Sequence, residues 1–185
     1  MKKLSVLLVI VFSLLLNGCN SKSENSTSLE KGITVSGKVI SIIDGDTYDA
    51  LLESNKTIRV RMEGIDAPEK GMPFYQKSKN HLSSLCFSKQ VKIKIIGVDN
   101  YERILAYTYS EDGKELSQEM IEAGYAWHFK KYNSDATLSN MEIKARDLKK
   151  GLWSEENPMS PWTNRSLHRQ GISTKDSFNI QEFNR

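Results

Sequence analysis

The sequence predicts an α+β fold, a closed five-stranded β-barrel with about three α-helices, on three observations. Five short segments between residues 33 and 109 alternate apolar and polar side chains with a period of two. Other stretches change to a spacing of three and four, and turn-forming clusters such as Asp44-Gly45-Asp46 and Ser54-Asn55 separate the strands. Five strands in an open sheet would leave two edges unpaired, and closing the sheet on itself removes both.

The composition is that of a globular chain: 185 residues, 38% hydrophobic and 26% charged. The chain opens with Lys2-Lys3 and an apolar run from Leu4 to Leu16, too short for a comfortable permanent span, so residues 1–18 read as an export signal. Leu16-Asn17-Gly18-Cys19 resembles the cleavage box of bacterial lipoproteins, which implies lipid on Cys19 and a location on the extracytoplasmic face of the cell envelope. An ordinary secretion signal or an uncleaved anchor would leave the domain on the same side. Residues 19–31 hold the polar run NSKSENSTS at Asn20 to Ser28, which buries too little apolar surface to order itself and reads as a tether.

Without Lys2 and Lys3, the 26 basic residues become 24 against 23 acids, so the net charge falls to +1 and bulk charge does not argue for nucleic acid. Two cysteines and three histidines show no zinc-ligand spacing, and with Cys19 lipidated Cys86 has no disulfide partner and reads as a buried small hydrophobe.

Each element follows in order. Alternation from Ile33 to Ile43 gives the first strand, Thr47 to Glu53 the second, and Thr57 to Glu63 the third. In the third, Ile58, Val60 and Met62 share one face, while Arg59, Arg61 and Glu63 face the other way. Pro73 to Phe87 is predicted helical, with Phe74, Ser78, Leu82 and Leu85 as its stripe. Val91, Ile93 and Ile95 return to strand spacing, and Ile104 to Tyr109 is the fifth strand. Leu116, Met120 and Ala123 mark a short helix closed by Gly124; Leu138, Met141, Ala145, Leu148 and Leu152 mark another. The domain is expected over 32–165, with 166–185 as a loose tail lacking apolar periodicity. A barrel of this strand number with inserted helices is of the OB type.

Three polar clusters interrupt this framework. In Asp44-Gly45-Asp46-Thr47 two carboxylates flank a glycine, a pattern that serves a hairpin turn or, if the turn curls, a hard cation. In Gly64-Ile65-Asp66-Ala67-Pro68-Glu69, Pro68 stiffens the loop and fixes the separation of Asp66 and Glu69. Asp99-Asn100-Tyr101-Glu102-Arg103 is a polar loop between apolar strands. Together they supply metal-type carboxylates, a further carboxylate for a base, and arginines whose planar forks suit phosphate oxygens.

Ile43 to Thr47 (IDGDT), Arg59 to Glu69 (RVRMEGIDAPE) and Asp99 to Tyr107 (DNYERILAY) together resemble the thermonuclease, or staphylococcal nuclease-like, family, over about Val39 to Trp153. The resemblance implies a calcium-dependent nuclease acting on DNA and RNA. It implies that Asp46 and Asp66 bind Ca2+ through carboxylates, with the backbone carbonyl of Ala67 as a ligand and Asp44 in the outer shell. It further implies that Glu69 activates the attacking water, that Arg61 and Arg103 hold the phosphate, and that Tyr101 and Tyr132 contact substrate. Asn100 departs from the family's lysine, and the family's paired substrate tyrosines are not both retained in Trp127 to Tyr132, where Trp127 or Phe129 is an alternative base-stacking surface.

Five lysines between Gln76 and Lys94, together with Lys130, Lys131, Arg146, Lys149 and Lys150, serve either a basic groove or ordinary solvated faces. His128 beside aromatics reads as packed. No obligate protein partner is expected beyond the nucleic acid and the membrane. Two rival readings stay open: an OB-type lipoprotein that binds without chemistry, and an envelope protein that uses calcium for stability alone.

Overall fold

The computed structural model describes residues 29–174. The export signal, Cys19 and most of the tether lie outside the described residues, as do residues 175–185. Among the described residues no helix is long and apolar enough to cross a membrane.

Five strands close into the expected barrel: β1 (Thr34–Ile42), β2 (Thr47–Leu52), β3 (Thr57–Met62), β5 (Gln90–Val98) and β6 (Ile104–Ser110). Their order around the barrel is β1-β2-β3-β6-β5, antiparallel throughout except for the parallel pair β3 and β6. Period-two patterning fixes which side chains turn inward. Val39, Ala50, Val60, Met62, Ile93, Ile95 and Ala106 are fully or almost fully buried, and Lys92 and Lys94 stand exposed between Val91, Ile93 and Ile95. Tyr48 is also buried, and its hydroxyl is 2.9 Å from that of Thr108, which satisfies both inside an apolar core.

A second, two-stranded ribbon pairs β4 (Ile65–Asp66) with β7 (Trp127–His128). These pieces are too short to show any periodicity, and sequence reading gave neither. Helix α1 (Tyr75–Cys86) starts after Phe74, whose φ of 63° cannot continue a helix, and buries Ser78, Leu82 and Cys86. Burial pushes the Cys86 thiol up to about 12, in keeping with an inert packing role. Helix α2 (Leu116–Glu122) is followed by Gly124, and α3 (Ala136–Asp147) begins at Asp135, whose carboxylate accepts from the Thr137 N–H. Leu152, expected at the end of that helix, instead sits in a 3-10 turn (Gly151–Ser154) after positive φ values at Lys149 and Gly151 break the helix.

The largest departure lies at the C-terminus. About three helices were expected and there are four among the described residues; the last, α4 (Pro161–Arg169), runs across the position of Arg165. Ser160 caps it and Pro161 occupies its first turn. Trp162 stacks on Phe129 with ring centroids 5.5 Å apart and planes 8° from parallel, which docks α4 on the body.

Gly45 shows how closely the site is built against α1. A Cβ placed there would lie 1.8 Å from Ser78 Oγ and 2.8 Å from Ala67 Cβ. Ser78 cannot withdraw without cost, because it is fully buried and its hydroxyl donates to the Tyr125 carbonyl at 2.8 Å. Gly45→Ala is expected to destabilise the fold by about 2 kcal/mol or more through overpacking. Thermal melting should show the loss, and the added substitution Ser78→Ala should recover part of it.

Candidate active site

The turn that leaves β1 is folded by Asp44, whose Oδ1 accepts from the backbone N–H of Asp46 at 3.0 Å. Asp46 then points inward and is almost completely enclosed. Its Oδ1 accepts from Thr47 Oγ1 at 2.8 Å, and its Oδ2 accepts from the N–H of Ala67 at 2.7 Å. That second bond spans 21 residues and ties the first polar cluster to the second. Asp66 is held by the β4 and β7 ribbon, opposite Trp127, and is 3% exposed.

Arg61, near the end of β3, joins the two acids. Its Nε lies 3.2 Å from Asp46 Oδ1 and its Nη2 lies 3.3 Å from Asp66 Oδ1, while Nη1 donates to the Met62 carbonyl at 2.7 Å. A planar fork can hold this three-way geometry, whereas a lysine ammonium cannot. Glu63, expected on the same outward face, lies past the end of β3 and turns in, where Asn133 donates to it at 3.2 Å.

Burial and like charge work against ionising Asp44 and Asp66. Asp44 is pushed up to about 7, chiefly by loss of water and then by the neighbouring Asp46. Asp66 is also raised, burial outweighing the arginines that favour its charged form. Glu69 reaches the same place from beyond Pro68. Its Oε1 accepts from Arg165 Nη1 at 2.7 Å and its Oε2 from Asn164 Nδ2 at 3.0 Å. Arg165 Nη2 also lies 2.6 Å from Asp66 Oδ2, so a single guanidinium bridges Asp66 and Glu69.

Asn164 and Arg165 stand inside the expected domain but after its last predicted helix, where none of the three polar clusters reaches. The available signal was Ser160-Pro161, a cap followed by proline at a first-turn position, which announces a helix independently of its apolar face.

Asp44, Asp46, Arg61, Asp66 and Glu69 are thus linked through a continuous set of polar contacts. Arg103 is held differently. It precedes β6, the strand that pairs in parallel with β3, and its Nε and Nη2 lie 2.7 and 2.6 Å from Asp99 Oδ2. Asp99 also accepts from the N–H groups of Tyr101 and Arg103, which shapes the loop. Burial would raise the Asp99 carboxyl, but the Arg103 and backbone hydrogen bonds prevail and hold it below its ordinary value. Tyr101 is 81% exposed, with the Arg103 guanidinium 5.4 Å from its ring centre.

Tyr132 is likewise exposed, with Phe129 edge-on to it and Lys131 Nζ 5.1 Å from its ring centre. Trp127 does not offer a base-stacking face: it is buried and packs edge-on against Trp153 at 5.4 Å. One face of Phe129 is taken by Trp162. His128 is buried with both ring nitrogens 3.0 Å from partners, Ser139 and Asn133, a packing role. Lys130 and Arg146 pair with the buried carboxylate of Glu142, so they neutralise an internal charge and do not line a free basic groove.

Among the described residues no group of three or more histidine, cysteine, aspartate or glutamate side chains is arranged to hold a metal ion. Asp46 and Asp66 supply two carboxylates, and completing a cation site requires main-chain oxygen and water as well. The donor chemistry fits a hard divalent ion: both acids are buried, and a cation between them would relieve the penalty that raises Asp44 and Asp66.

Comparison with known proteins identifies a family and several relatives. A family profile described as staphylococcal nuclease homologue matches residues 59–155. An uncharacterized endonuclease of Escherichia coli is 38% identical over 128 residues, covering 69% of this chain and 83% of that protein. An uncharacterized endonuclease of Haemophilus influenzae is 38% identical over 146 residues, 79% of each chain. The micrococcal nuclease of Shigella flexneri is 36% identical over 136 residues, 68% of this chain and 78% of that protein. With its closed barrel and this match over more than half its length, the chain belongs to the staphylococcal nuclease homologue family.

Proposed function

We propose that this protein is a calcium-dependent nuclease that hydrolyses phosphodiester bonds in DNA and RNA, held by lipid on Cys19 at the extracytoplasmic face of the cell envelope. Membership of the family supports the hydrolase class and the nucleic-acid substrate. The observation that carries the mechanistic reading is the single guanidinium of Arg61 set between two buried carboxylates, with Glu69 tied to the same group of side chains. A binding module or a calcium-stabilised envelope protein has no chemical need to bury acids beside a phosphate-type donor and a third carboxylate.

The side chains Asp46 and Asp66, with the Ala67 carbonyl, would hold Ca2+, and Asp44 would support them from the outer shell. When bound, the ion supplies Lewis-acid polarisation of the phosphate. Glu69 takes the proton from water as the water oxygen forms its bond to phosphorus and the ester oxygen departs. Arg61 donates to an equatorial phosphate oxygen, where negative charge grows. Arg103 stands in the same role from the β5–β6 loop. Asp99 keeps its fork extended by binding Nε and Nη2, and no partner for Nη1 is found among the described residues. Tyr101 and Tyr132 are exposed on the surface and suited to contacting flanking phosphates or bases.

The export reading rests on the basic start, the apolar run and Cys19, so its support is the sequence alone. Labelling with a radioactive fatty acid, retained in the parent and lost in Cys19→Ser, tests it.

Glu69→Gln and Arg103→Ala are each expected to lower the turnover of single-stranded DNA at least about a hundredfold, the scale lost when a transition-state donor is removed. Parental rates in both variants would overturn these roles. Asp66→Asn should weaken calcium binding, measured by calorimetry without nucleic acid, by about tenfold or more; unchanged affinity would remove Asp66 from the ligand set.

Asp44 yields a pH prediction. Its folded-state value near 7 lies above that of the unfolded chain, so between about pH 4 and 7 the native state binds more protons than the unfolded one. Stability therefore falls as pH rises through this window, and the charge is free of penalty only in the unfolded chain. In calcium-free melts, Asp44→Asn should remove that component, gaining stability over the parent at pH 7 relative to pH 4.

A further inference from the structure

Helix α4 lies wholly beyond the residues matched by the family profile, which end at 155, yet it reaches both oxygens of Glu69. We propose that Asn164 and Arg165 are positioning residues for Glu69, contributed to the active site by this C-terminal helix. The inference rests on the reading of Glu69 as the group that activates water.

A glutamate on a loop has three side-chain torsions to fix, and Glu69 is 34% exposed at its side chain, so the barrel alone does not determine where its carboxylate sits. The α4 residues do so from two directions. Asn164 is 2% exposed, and its amide is oriented at both ends: Nδ2 donates to Glu69, and Oδ1 accepts from Thr174 Oγ1 at 2.5 Å. Thr174 is itself 3.0 Å from Nε2 of His168, which stands on the same helix as Asn164. Assignment of oxygen and nitrogen in the Asn164 amide follows from these neighbours, because a carboxylate can only accept.

Arg165 fixes the other coordinate. Its two terminal nitrogens have a rigid separation: Nη2 takes Asp66 Oδ2, and Nη1 donates to Glu69 Oε1 at 2.7 Å and to Asp66 Oδ1 at 3.3 Å. The guanidinium thus sets the spacing between the base and the acid proposed to hold the cation. Each carboxylate oxygen has a second lone pair, so Glu69 remains able to take a proton while both oxygens accept from α4. The Trp162 and Phe129 stack anchors the helix so that its two functional residues arrive in place.

A double-mutant cycle in the full chain tests this, read by single-stranded DNA cleavage at saturating calcium and by calorimetric calcium titration without nucleic acid. Arg165→Met and Asn164→Leu should each lower kcat at least about tenfold with KM changed less than about threefold, the signature of a misplaced reacting group. In the Glu69→Gln background the same substitutions should change kcat by less than about threefold, because their effect passes through Glu69. Calcium affinity should not fall in Arg165→Met, since a cation has been removed from beside Asp66. If the melting curve shows that Asn164→Leu does not fold, Arg165→Met at its half-exposed position carries the comparison.

A rise in kcat in Arg165→Met would overturn the inference and make α4 an obstruction. Undiminished losses in the Glu69→Gln background, or weaker calcium binding in Arg165→Met, would overturn it too. Failure of the underlying reading has a different signature: Glu69→Gln alone would then cut at the parental rate.

Discussion

Asp46 and Asp66 are both almost wholly removed from water, and a buried carboxylate is stable only where cations and donors replace its hydration. Arg61 meets part of that demand by reaching both acids, and the Ala67 N–H and Thr47 hydroxyl meet more of it at Asp46. Asp44 beside them is raised to about 7, chiefly by burial and then by the neighbouring Asp46. The surrounding structure exists to keep these acids close in spite of that cost.

The barrel provides the rigidity. Arg61 is registered opposite Thr47 across β2 and β3, so the strand ladder itself brings Arg61 to the first polar cluster. Asp66 is fixed by a ribbon of only two residues per strand, which the β-pairing with Trp127 and His128 secures. Close packing of Gly45 on Ser78 and Ala67 then leaves no room for the turn to relax away from the barrel. Local backbone geometry, ladder register and core packing therefore converge on one arrangement.

The electrostatics of the site extend beyond the barrel. Arg61 contacts Asp46 and Asp66, whereas Arg165 contacts Asp66 and Glu69, so Asp66 is shared between two guanidinium groups. Arg103 is set apart on the β5–β6 loop, where Asp99 governs its orientation and Tyr101 lies beneath it. The arginines thus differ in setting: one is embedded with the buried acids, one arrives on a docked helix, and one stands on a loop.

The amino-acid sequence determined the barrel strands, because alternation records which side chains face the core, as Val91, Ile93 and Ile95 between exposed Lys92 and Lys94 show. The short turns and strand ends that carry Asp44, Asp46, Arg61 and Asp66 are local features of the same kind. Contacts such as Asp46 to Ala67 and Glu69 to Arg165 span 21 and 96 residues, and no local pattern encodes them. Tertiary structure decided that Trp127 packs inside, that Lys130 and Arg146 serve the buried Glu142, and that α4 closes on Glu69. The physical reason is common to all three: each depends on what stands opposite a side chain once the core is packed, and that neighbour is supplied by a distant segment.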